Sequence, residues 1–174
     1  MELKQAIELI KDPVIENNTK QVWTDLGCGT GLFTKALANL LAGESVIYAV
    51  DQNNTALKNI TPLDGVLIKS IQANFIKDDL GFQELNGILM ANALHFVQDK
   101  ITLIKKLAGY CMPNHCFVIV EYNMETPNPW VPWPVSFASL QQLFQQCGYT
   151  SVKKMHEVPS VYNRSKIYSA IIKP

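Results

Sequence analysis

A strand-like segment and a helix-like segment are joined by the stretch Asp25-Leu26-Gly27-Cys28-Gly29-Thr30-Gly31. Glycine at alternate positions permits positive φ and lets a ligand approach the backbone closely. We expect the amides that open the following helix to be unpaired and to form a polar cradle. The stretch therefore predicts a ligand-binding turn between a strand and a helix.

A second apolar run follows the glycine loop. It reads Val46-Ile47-Tyr48-Ala49-Val50 and ends in Asp51, 20 residues after Gly31. In nucleotide-binding βαβ units, an acid at the end of the second strand accepts hydrogen bonds from ribose hydroxyls. Asp51 therefore predicts a ligand that carries a nucleoside.

The spacing of the glycines distinguishes between nucleotide cofactors. Dinucleotide sites read G-x-G-x-x-G, whereas this loop reads G-x-G-x-G and has Leu32 where the third glycine would stand. The Asp25 carboxylate would also be electrostatically unfavourable beside a pyrophosphate. It suits a cationic ligand with an amino-acid tail instead.

The loop with its leading Asp25 and following Asp51 resembles the S-adenosylmethionine site of class I methyltransferases. The resemblance covers nearly the whole chain and is greatest for compact, small-molecule methyltransferases. It implies a three-layer α/β/α sandwich with a seven-stranded, mostly parallel sheet of order 3-2-1-4-5-7-6, in which strand 7 is antiparallel. It also implies S-adenosyl-L-methionine as the cofactor and S-adenosyl-L-homocysteine as the product.

Strand-like and helix-like segments alternate along the chain, which favours a single domain over residues 1–174 with crossover helices. Helices are predicted over residues 2–11, 30–42, 53–60, 99–110 and 136–147. Strands are predicted over residues 21–25, 45–50, 66–71, 87–91, 116–120, 150–158 and 166–173. Asp99 and Ser136 are expected as N-caps, and the short connection between the last two strands permits an antiparallel hairpin.

The resemblance implies that Asp25 and the glycine loop bind the methionine end of the cofactor. Asn74 stands where the family usually has an acid for the adenine amine. Its amide oxygen can accept from that amine while its NH₂ donates to a ring nitrogen, although an ordinary loop asparagine is the alternative. Phe75 either covers the adenine or belongs to the core. The predicted cofactor-binding residues are Asp25, Gly27, Cys28, Gly29, Gly31, Asp51, Gln52, Asn74, Phe75 and Asn92.

The end of strand 4 reads Asn92-Ala93-Leu94-His95-Phe96. It lacks both the Asn-Pro-Pro-Tyr and the Pro-Cys motifs of nucleic-acid methyltransferases, and it resembles small-molecule methyltransferases instead. His95 is a candidate general base or substrate-orienting residue, because histidine side chains titrate near neutral pH. The alternative is an imidazole that packs against the cofactor or caps the next helix.

The end of strand 5 leads into a proline-rich loop at residues 123–135, whose two tryptophans offer flat apolar faces. Such a loop could form the wall of a pocket for an apolar or aromatic acceptor, or its tryptophans could fill the gap between helix and sheet. Tyr122 is a second candidate catalytic residue. The predicted substrate-binding residues are His95, Glu121, Tyr122, Trp130, Trp133 and Arg164.

The chain has 15 basic and 15 acidic residues, so its net charge is zero. This balance argues against a broad surface for nucleic acid or an anionic membrane, and we expect a small-molecule acceptor. The four cysteines form no C-x-x-C pair and no metal-ligand cluster, so no metal is predicted and a cytoplasmic protein with reduced thiols is expected. The sequence is compatible with a homodimer.

Two other functions stay open at this point. One is a non-catalytic S-adenosylmethionine-binding partner or regulatory subunit, which an exposed Trp130 and Trp133 patch would favour. The other is an NAD(P)-binding oxidoreductase, which the glycine spacing opposes.

Overall fold

The computed structural model describes residues 1–16, 18–160 and 165–174. Its strands are β1 (Val22–Leu26), β2 (Val46–Asp51), β3 (Leu67–Gln72), β4 (Leu85–Ala91), β5 (Cys111–Tyr122), β6 (Ser151–Pro159) and β7 (Lys166–Lys173). Its α-helices are α1 (Leu3–Ile10), α2 (Leu32–Leu40), α3 (Asn54–Leu57), α4 (Lys100–Ala108) and α5 (Phe137–Gln146). A single 3-10 turn, Leu94–Phe96, follows β4.

The strands form one sheet in the order β3-β2-β1-β4-β5-β7-β6. Strands β1 to β5 are mutually parallel where they pair, whereas β7 runs antiparallel to both β5 and β6. The predicted three-layer fold and strand order are confirmed. The order reverses at β1, which lies between β2 and β4, and ligands of such sheets bind at the carboxyl ends of the strands near this point.

Apolar side chains cover both faces of the sheet, as a mostly parallel sheet requires. One apolar cluster packs α1 and α2 against the sheet, and the other packs α4 and α5 against the opposite face. Trp23 on β1 is fully buried, and a Cβ at Gly87 on β4 would come within 2.4 Å of its ring. Gly87 therefore leaves the space that Trp23 fills.

The predicted and observed elements differ most at β5. This strand begins at Cys111 rather than at residue 116, because its first residues pair with an earlier start of β4. The register shifts between Leu85 and Gly87, so a bulge accommodates the extra length. Helix α3 is shorter than predicted and begins after Asn53, whose side chain accepts hydrogen bonds from two backbone amides.

Both predicted helix caps are confirmed. The Asp99 carboxylate accepts a 3.0 Å hydrogen bond from the amide of Thr102 at the start of α4. The Ser136 hydroxyl accepts a 3.1 Å hydrogen bond from the amide of Ser139 at the start of α5. Within the described ranges, no helix has the length and apolar character needed to cross a membrane.

Candidate active site

A cavity of about 340 Å³ lies at the carboxyl ends of β1 to β4, where the strand order reverses. Its wall includes backbone and side chains from the ends of these four strands. The lining residues are Gly27, Asp51, Gln52, Asn53, Ala73, Asn74, Phe75, Ile76, Asn92, Ala93 and Phe96. Six of the predicted cofactor-binding residues are among them.

The amides of the glycine loop are already used within the protein. The amides of Gly27 and Cys28 both donate to the carbonyl of Val50, at 2.8 and 3.1 Å. The amide of Gly29 donates to the Asp51 carboxylate at 2.8 Å. These three amides are therefore not free for a ligand, because β2 and its terminal acid bind them. The polar cradle predicted from the amides that open α2 stays a prediction.

The glycines of the loop have different environments, although each has a positive φ. A Cβ at Gly27 would lie 2.8 Å from Ala93 and would point into the wall of the cavity. A Cβ at Gly31 would lie 2.8 Å from Ile60, outside the cavity lining, and one at Gly29 would meet open space. Gly27 is thus the glycine that lines the cavity, while Gly31 allows close packing.

Cys28 lies between Gly27 and Gly29 and is half-buried. Burial raises the pKa of its thiol well above the ordinary value, and the nearby carboxylates of Asp25 and Asp51 raise it further. The side chain therefore stays a protonated thiol at neutral pH, which is a weak nucleophile and a weak hydrogen-bond donor.

Asp25 lies beneath the glycine loop and is only 1% exposed. The Thr34 hydroxyl donates a 2.6 Å hydrogen bond to its carboxylate. Burial nevertheless raises the pKa of Asp25 to about 7, the Thr34 bond lowers it by less, and the charge of Asp51 adds to the rise. Asp25 does not line the cavity, so the direct contact predicted for it stays a prediction.

Asp51 ends β2 and lines the cavity. Its two carboxylate oxygens accept 2.8 Å hydrogen bonds from the amides of Gly29 and Asn53. Each oxygen of an ionised carboxylate has a second lone pair. Asp51 can therefore hold the loop in place and still accept hydrogen bonds from a ligand.

Asn74 lines the cavity but does not offer the predicted contacts freely. Its side-chain oxygen accepts hydrogen bonds from the amides of Ile76 and Lys77, at 3.0 and 3.2 Å. Its NH₂ group donates to Gln52 at 3.4 Å. Both lone pairs of this oxygen already stabilise the turn that follows β3, so an adenine amine would compete with these bonds, and the predicted pairing stays a prediction.

Lys106 on α4 is a residue of this region that the sequence reasoning missed. Its ammonium group donates to the carbonyls of Phe75 and Ile76, at 3.2 and 3.4 Å, and also to that of Asp78. These bonds fix the turn that carries Phe75. Nothing in the local sequence signals the contact, because about 30 residues separate Lys106 from the turn.

Asn92 follows β4 and has a left-handed backbone, with φ of 53°. Its side-chain oxygen is buried at the cavity wall and has no hydrogen-bond partner among the described residues. Buried polar atoms in folded proteins are nearly always paired. An acceptor of this kind at a cavity fits a ligand that brings an N–H or O–H donor.

His95, in the 3-10 turn, forms a buried pair with Glu121, which lies near the end of β5. Their exposed fractions are 3% and 1%. Glu121 accepts a 3.1 Å hydrogen bond from the His95 amide, and its second oxygen lies 2.7 Å from Nδ1 of the ring. The structure thus places Glu121 against His95 instead of at a pocket surface, which corrects its predicted role as an acceptor contact.

Tyr122 ends β5 next to Glu121 and is half-buried. The centroid of its ring lies 6.2 Å from that of His95. The ring of Phe96, which lines the cavity, lies 4.2 Å from the His95 ring. His95 is thus adjacent to the cavity without lining it, and the catalytic role of Tyr122 stays a prediction.

The loop at residues 123–135 does not line the cavity, and the wall predicted for it is not observed there. Trp130 is 81% exposed and Trp133 is 43% exposed, so neither fills the gap between helix and sheet. The amide of Trp133 donates to the carbonyl of His95, and Lys100 donates to the carbonyl of Trp133, both at 3.0 Å. The loop is therefore tied to the 3-10 turn through its backbone.

Arg164, the remaining predicted substrate-binding residue, lies outside the described residues. Five lining residues were not predicted: Asn53, Ala73, Ile76, Ala93 and Phe96. Each of them stands within two residues of a predicted one in the sequence. The positions where strands end could therefore have identified them as a group.

The sequence family described as "Methyltransferase domain" matches residues 24–119, which is more than half of the chain. The chain belongs to this methyltransferase family. A comparison with curated protein sequences found no significant match.

Solved structures with the same fold are similar over nearly the whole chain. A SAM-dependent methyltransferase from Archaeoglobus fulgidus has a TM-score of 0.71 and 14% identity, covering 99% of this chain and 95% of its own. One from Aquifex aeolicus has a TM-score of 0.68 and 13% identity, covering 99% and 98%. The 1,6-didemethyltoxoflavin-N1-methyltransferase of Burkholderia thailandensis has a TM-score of 0.71 and 16% identity, covering 98% and 77%, and its structure contains S-adenosylhomocysteine.

The fold and the family together define a class I S-adenosylmethionine-dependent methyltransferase. S-adenosyl-L-methionine is accordingly the cofactor and S-adenosyl-L-homocysteine the product. The family match does not support the oxidoreductase alternative.

Proposed function

We propose that this protein is an enzyme that transfers a methyl group from S-adenosylmethionine to a small-molecule acceptor. The observation that carries the proposal is the buried, unpaired oxygen of Asn92, a residue that lines the cavity together with Asp51 and Gly27. S-adenosylmethionine has ammonium, hydroxyl and amine donors along its length. The cavity thus offers acceptors for a ligand that is rich in donors.

The position of each acceptor suggests which end of the cofactor it binds. Asn92 precedes Ala93, which lies against Gly27 of the glycine loop, so we assign its oxygen to the ammonium group of the methionine end. Asp51 lies at the end of β2 and suits the ribose hydroxyls. Asp25 acts from beneath the loop, where a nearby cation would stabilise its charged form.

We propose that the methyl acceptor binds beside the residues at the carboxyl ends of β4 and β5. S-adenosylmethionine supplies a methyl group on a sulfonium, so the protein mainly has to align the acceptor with it. His95 is the proposed base for an acceptor that retains its proton at neutral pH. A small heteroaromatic acceptor has a precedent in the Burkholderia thailandensis enzyme, whose structure contains bound 1,6-didemethyltoxoflavin.

Isothermal titration calorimetry tests the proposed cofactor site. Wild-type protein should bind S-adenosylmethionine and S-adenosylhomocysteine, and Asp51→Ala should weaken both by at least about tenfold through loss of charge-assisted hydrogen bonds. Asp64→Ala, at an exposed position, is the matched control and should bind normally. Binding of NADH without binding of either adenosyl ligand would overturn the proposal.

The alternative of a non-catalytic subunit is favoured by one feature, the 81% exposure of Trp130. The buried His95 and Glu121 pair favours an enzyme, because cofactor binding alone does not require a base. Release of S-adenosylhomocysteine on addition of the small-molecule fraction of a cell extract distinguishes the two. Tight cofactor binding with no release would support the subunit. A cytoplasmic location and a homodimer both stay predictions.

A further inference from the structure

The hydrogen bonds of Glu121 determine which nitrogen of His95 is available. One carboxylate oxygen accepts from the His95 amide, and the other lies 2.7 Å from Nδ1. An ionised carboxylate can only accept hydrogen bonds. Nδ1 must then bear the ring proton, and the lone pair of the neutral imidazole lies on Nε2.

His115 shows what a structural histidine looks like in this protein. It is also buried, but Nδ1 lies 2.6 Å from the carbonyl of Met112 and Nε2 lies 2.8 Å from the hydroxyl of Tyr149. Both of its nitrogens are therefore occupied by neutral partners. For His95, by contrast, the described residues provide a partner to Nδ1 alone.

Burial of Glu121 is a further difference between the two histidine environments. Removing a carboxylate from water is unfavourable unless hydrogen bonds compensate for it. A packing role for His95 would be served by neutral partners such as those of His115. A carboxylate, by contrast, stabilises an imidazole that becomes positively charged during a reaction.

We infer that Glu121 is a positioning residue that holds His95 as a base through Nε2, so that the acceptor brings its own proton on a hydroxyl or ring N–H group. This inference rests on the proposed methyl transfer. The acceptor's oxygen or nitrogen forms the bond to the methyl carbon while the carbon–sulfur bond breaks and its electron pair stays on sulfur. Nε2 takes the acceptor's proton, and Glu121 balances the imidazolium charge.

Phe96 contacts this base and lines the cavity. Its ring contacts His95 at a centroid distance of 4.2 Å, lines the cavity and is 56% exposed. An acceptor that reaches Nε2 therefore lies beside an aromatic ring. A flat, partly apolar molecule with an acidic O–H or N–H group fits this position.

Nuclear magnetic resonance of protein labelled with ¹⁵N-histidine tests the tautomer without any acceptor. The wild-type spectrum, at a pH where His95 is neutral, should show a proton on Nδ1 and none on Nε2. In Glu121→Gln, the amide cannot accept from both the His95 amide and Nδ1, so the proton should move at least partly to Nε2. Glu121→Asp should retain the wild-type tautomer, and His115 is an unchanged internal control. A wild-type proton on Nε2 would overturn the inference.

A second experiment tests the class of acceptor. Wild-type protein is incubated with methyl-deuterated S-adenosylmethionine and the small-molecule fraction of a cell extract, and labelled products are identified by mass spectrometry. The expected product has its new methyl group on an oxygen or nitrogen that formerly carried hydrogen. For the reaction that forms this product, the kcat of Glu121→Gln should be about 10²- to 10⁴-fold lower than that of the wild type, with little change in KM.

Separate outcomes distinguish this inference from the proposed function. Glu121→Gln should bind S-adenosylmethionine like the wild type, because Glu121 does not line the cavity. A labelled sulfonium or quaternary ammonium product would contradict the inference and leave the methyltransferase proposal intact. Absence of cofactor binding in the wild type, or of any labelled product, would contradict the proposed enzyme itself.

Discussion

The hydroxyl of Thr34, in the first turn of α2, donates a 2.6 Å hydrogen bond to the carboxylate of Asp25 near the end of β1. This bond compensates for only part of the burial of the carboxylate, whose pKa rises to about 7. Asp25 therefore links the stability of the protein to pH and to the charge of its ligand.

We predict that Asp25→Asn stabilises the protein at alkaline pH. The unfolded chain releases the Asp25 proton near pH 3.8, whereas the folded chain holds it to about pH 7. The folded state thus binds more protons between these values, so stability falls as pH rises from about 4 to about 7. The variant lacks this loss, so at pH 8 its free energy of unfolding should exceed that of the wild type by roughly 2 to 4 kcal/mol. Its urea midpoint should rise accordingly.

Urea denaturation at pH 4 and pH 8 checks this prediction. The two proteins should differ little at pH 4, where the folded wild type holds the Asp25 proton and this carboxyl is only about half ionised in the unfolded chain. Asp64→Asn, at an exposed site, should follow the wild type at both values. Equal stability of wild type and Asp25→Asn at pH 8 would show that ionisation of the buried carboxylate does not lower the free energy of unfolding.

We expect binding of S-adenosylmethionine to release protons from Asp25 near pH 7. A cationic ligand above the loop favours the ionised carboxylate and lowers its pKa from about 7. Calorimetry in buffers with different ionisation enthalpies should detect a release of roughly half a proton at pH 7. Asp25→Asn should show none of this release. A binding enthalpy of the wild type that does not depend on the buffer would contradict proton release from Asp25.

Asn92→Gly should weaken cofactor binding with little effect on folding. Glycine tolerates the φ of 53° at this position, and the substitution removes the side chain that carries the unpaired oxygen. Loss of one hydrogen bond to a charged group should reduce affinity roughly 10- to 100-fold. Glu44→Gly is the matched control, since Glu44 also has a positive φ, of 64°, but lies outside the cavity lining. Equal affinities in the two variants would exclude a ligand contact for Asn92.

Gly27→Ala should destabilise the protein more than Gly29→Ala does. Both positions have positive φ, of 73° and 54°, so alanine at either costs about 1 to 2 kcal/mol of backbone strain. At Gly27 the new Cβ also comes within 2.8 Å of Ala93, whereas at Gly29 it meets open space. Denaturation midpoints measure the difference. Similar midpoints would mean that the segment after β4 shifts to accept the methyl group.

Trp130→Ala should leave stability within about 0.5 kcal/mol of the wild type, because the side chain is 81% exposed. Acrylamide quenching of tryptophan fluorescence provides a direct check of this exposure. The variant should lose the most strongly quenched component, while the fully buried Trp23 stays protected. A large loss of stability would show that Trp130 packs against the protein in solution.

The sequence predicts this fold well because its signals are local. The glycine loop, the alternation of strands and helices, and the caps Asp99 and Ser136 each depend on a few neighbouring residues. The early start of β5 was missed, because Cys111 joins the sheet by pairing with Leu85 on another strand. Strand ends could be located, but pairing across a bulge is a tertiary property.

The same distinction applies to the site. Asp51 and Asn92 could be selected from the sequence because each ends a predicted strand. The hydrogen-bond partners of Asn74 and Glu121 could not be predicted from the sequence. Asn74 bonds to the backbone of the turn that it begins, and Glu121 bonds to a histidine 26 residues earlier. The apolar surface of Trp130 predicts either a pocket wall or a filled gap between helix and sheet, yet the side chain after the turn at Asn128 is 81% exposed.

The loop at residues 123–135 has an engineering consequence. Buried Val131 and Val135 anchor it, and its backbone is joined to β7 by a bond from Asn123 to Lys166. None of its residues lines the donor cavity. A chimaera could exchange residues 123–135 for the corresponding loop of another methyltransferase. This exchange would alter the surroundings of His95 and leave the residues that line the donor cavity unchanged.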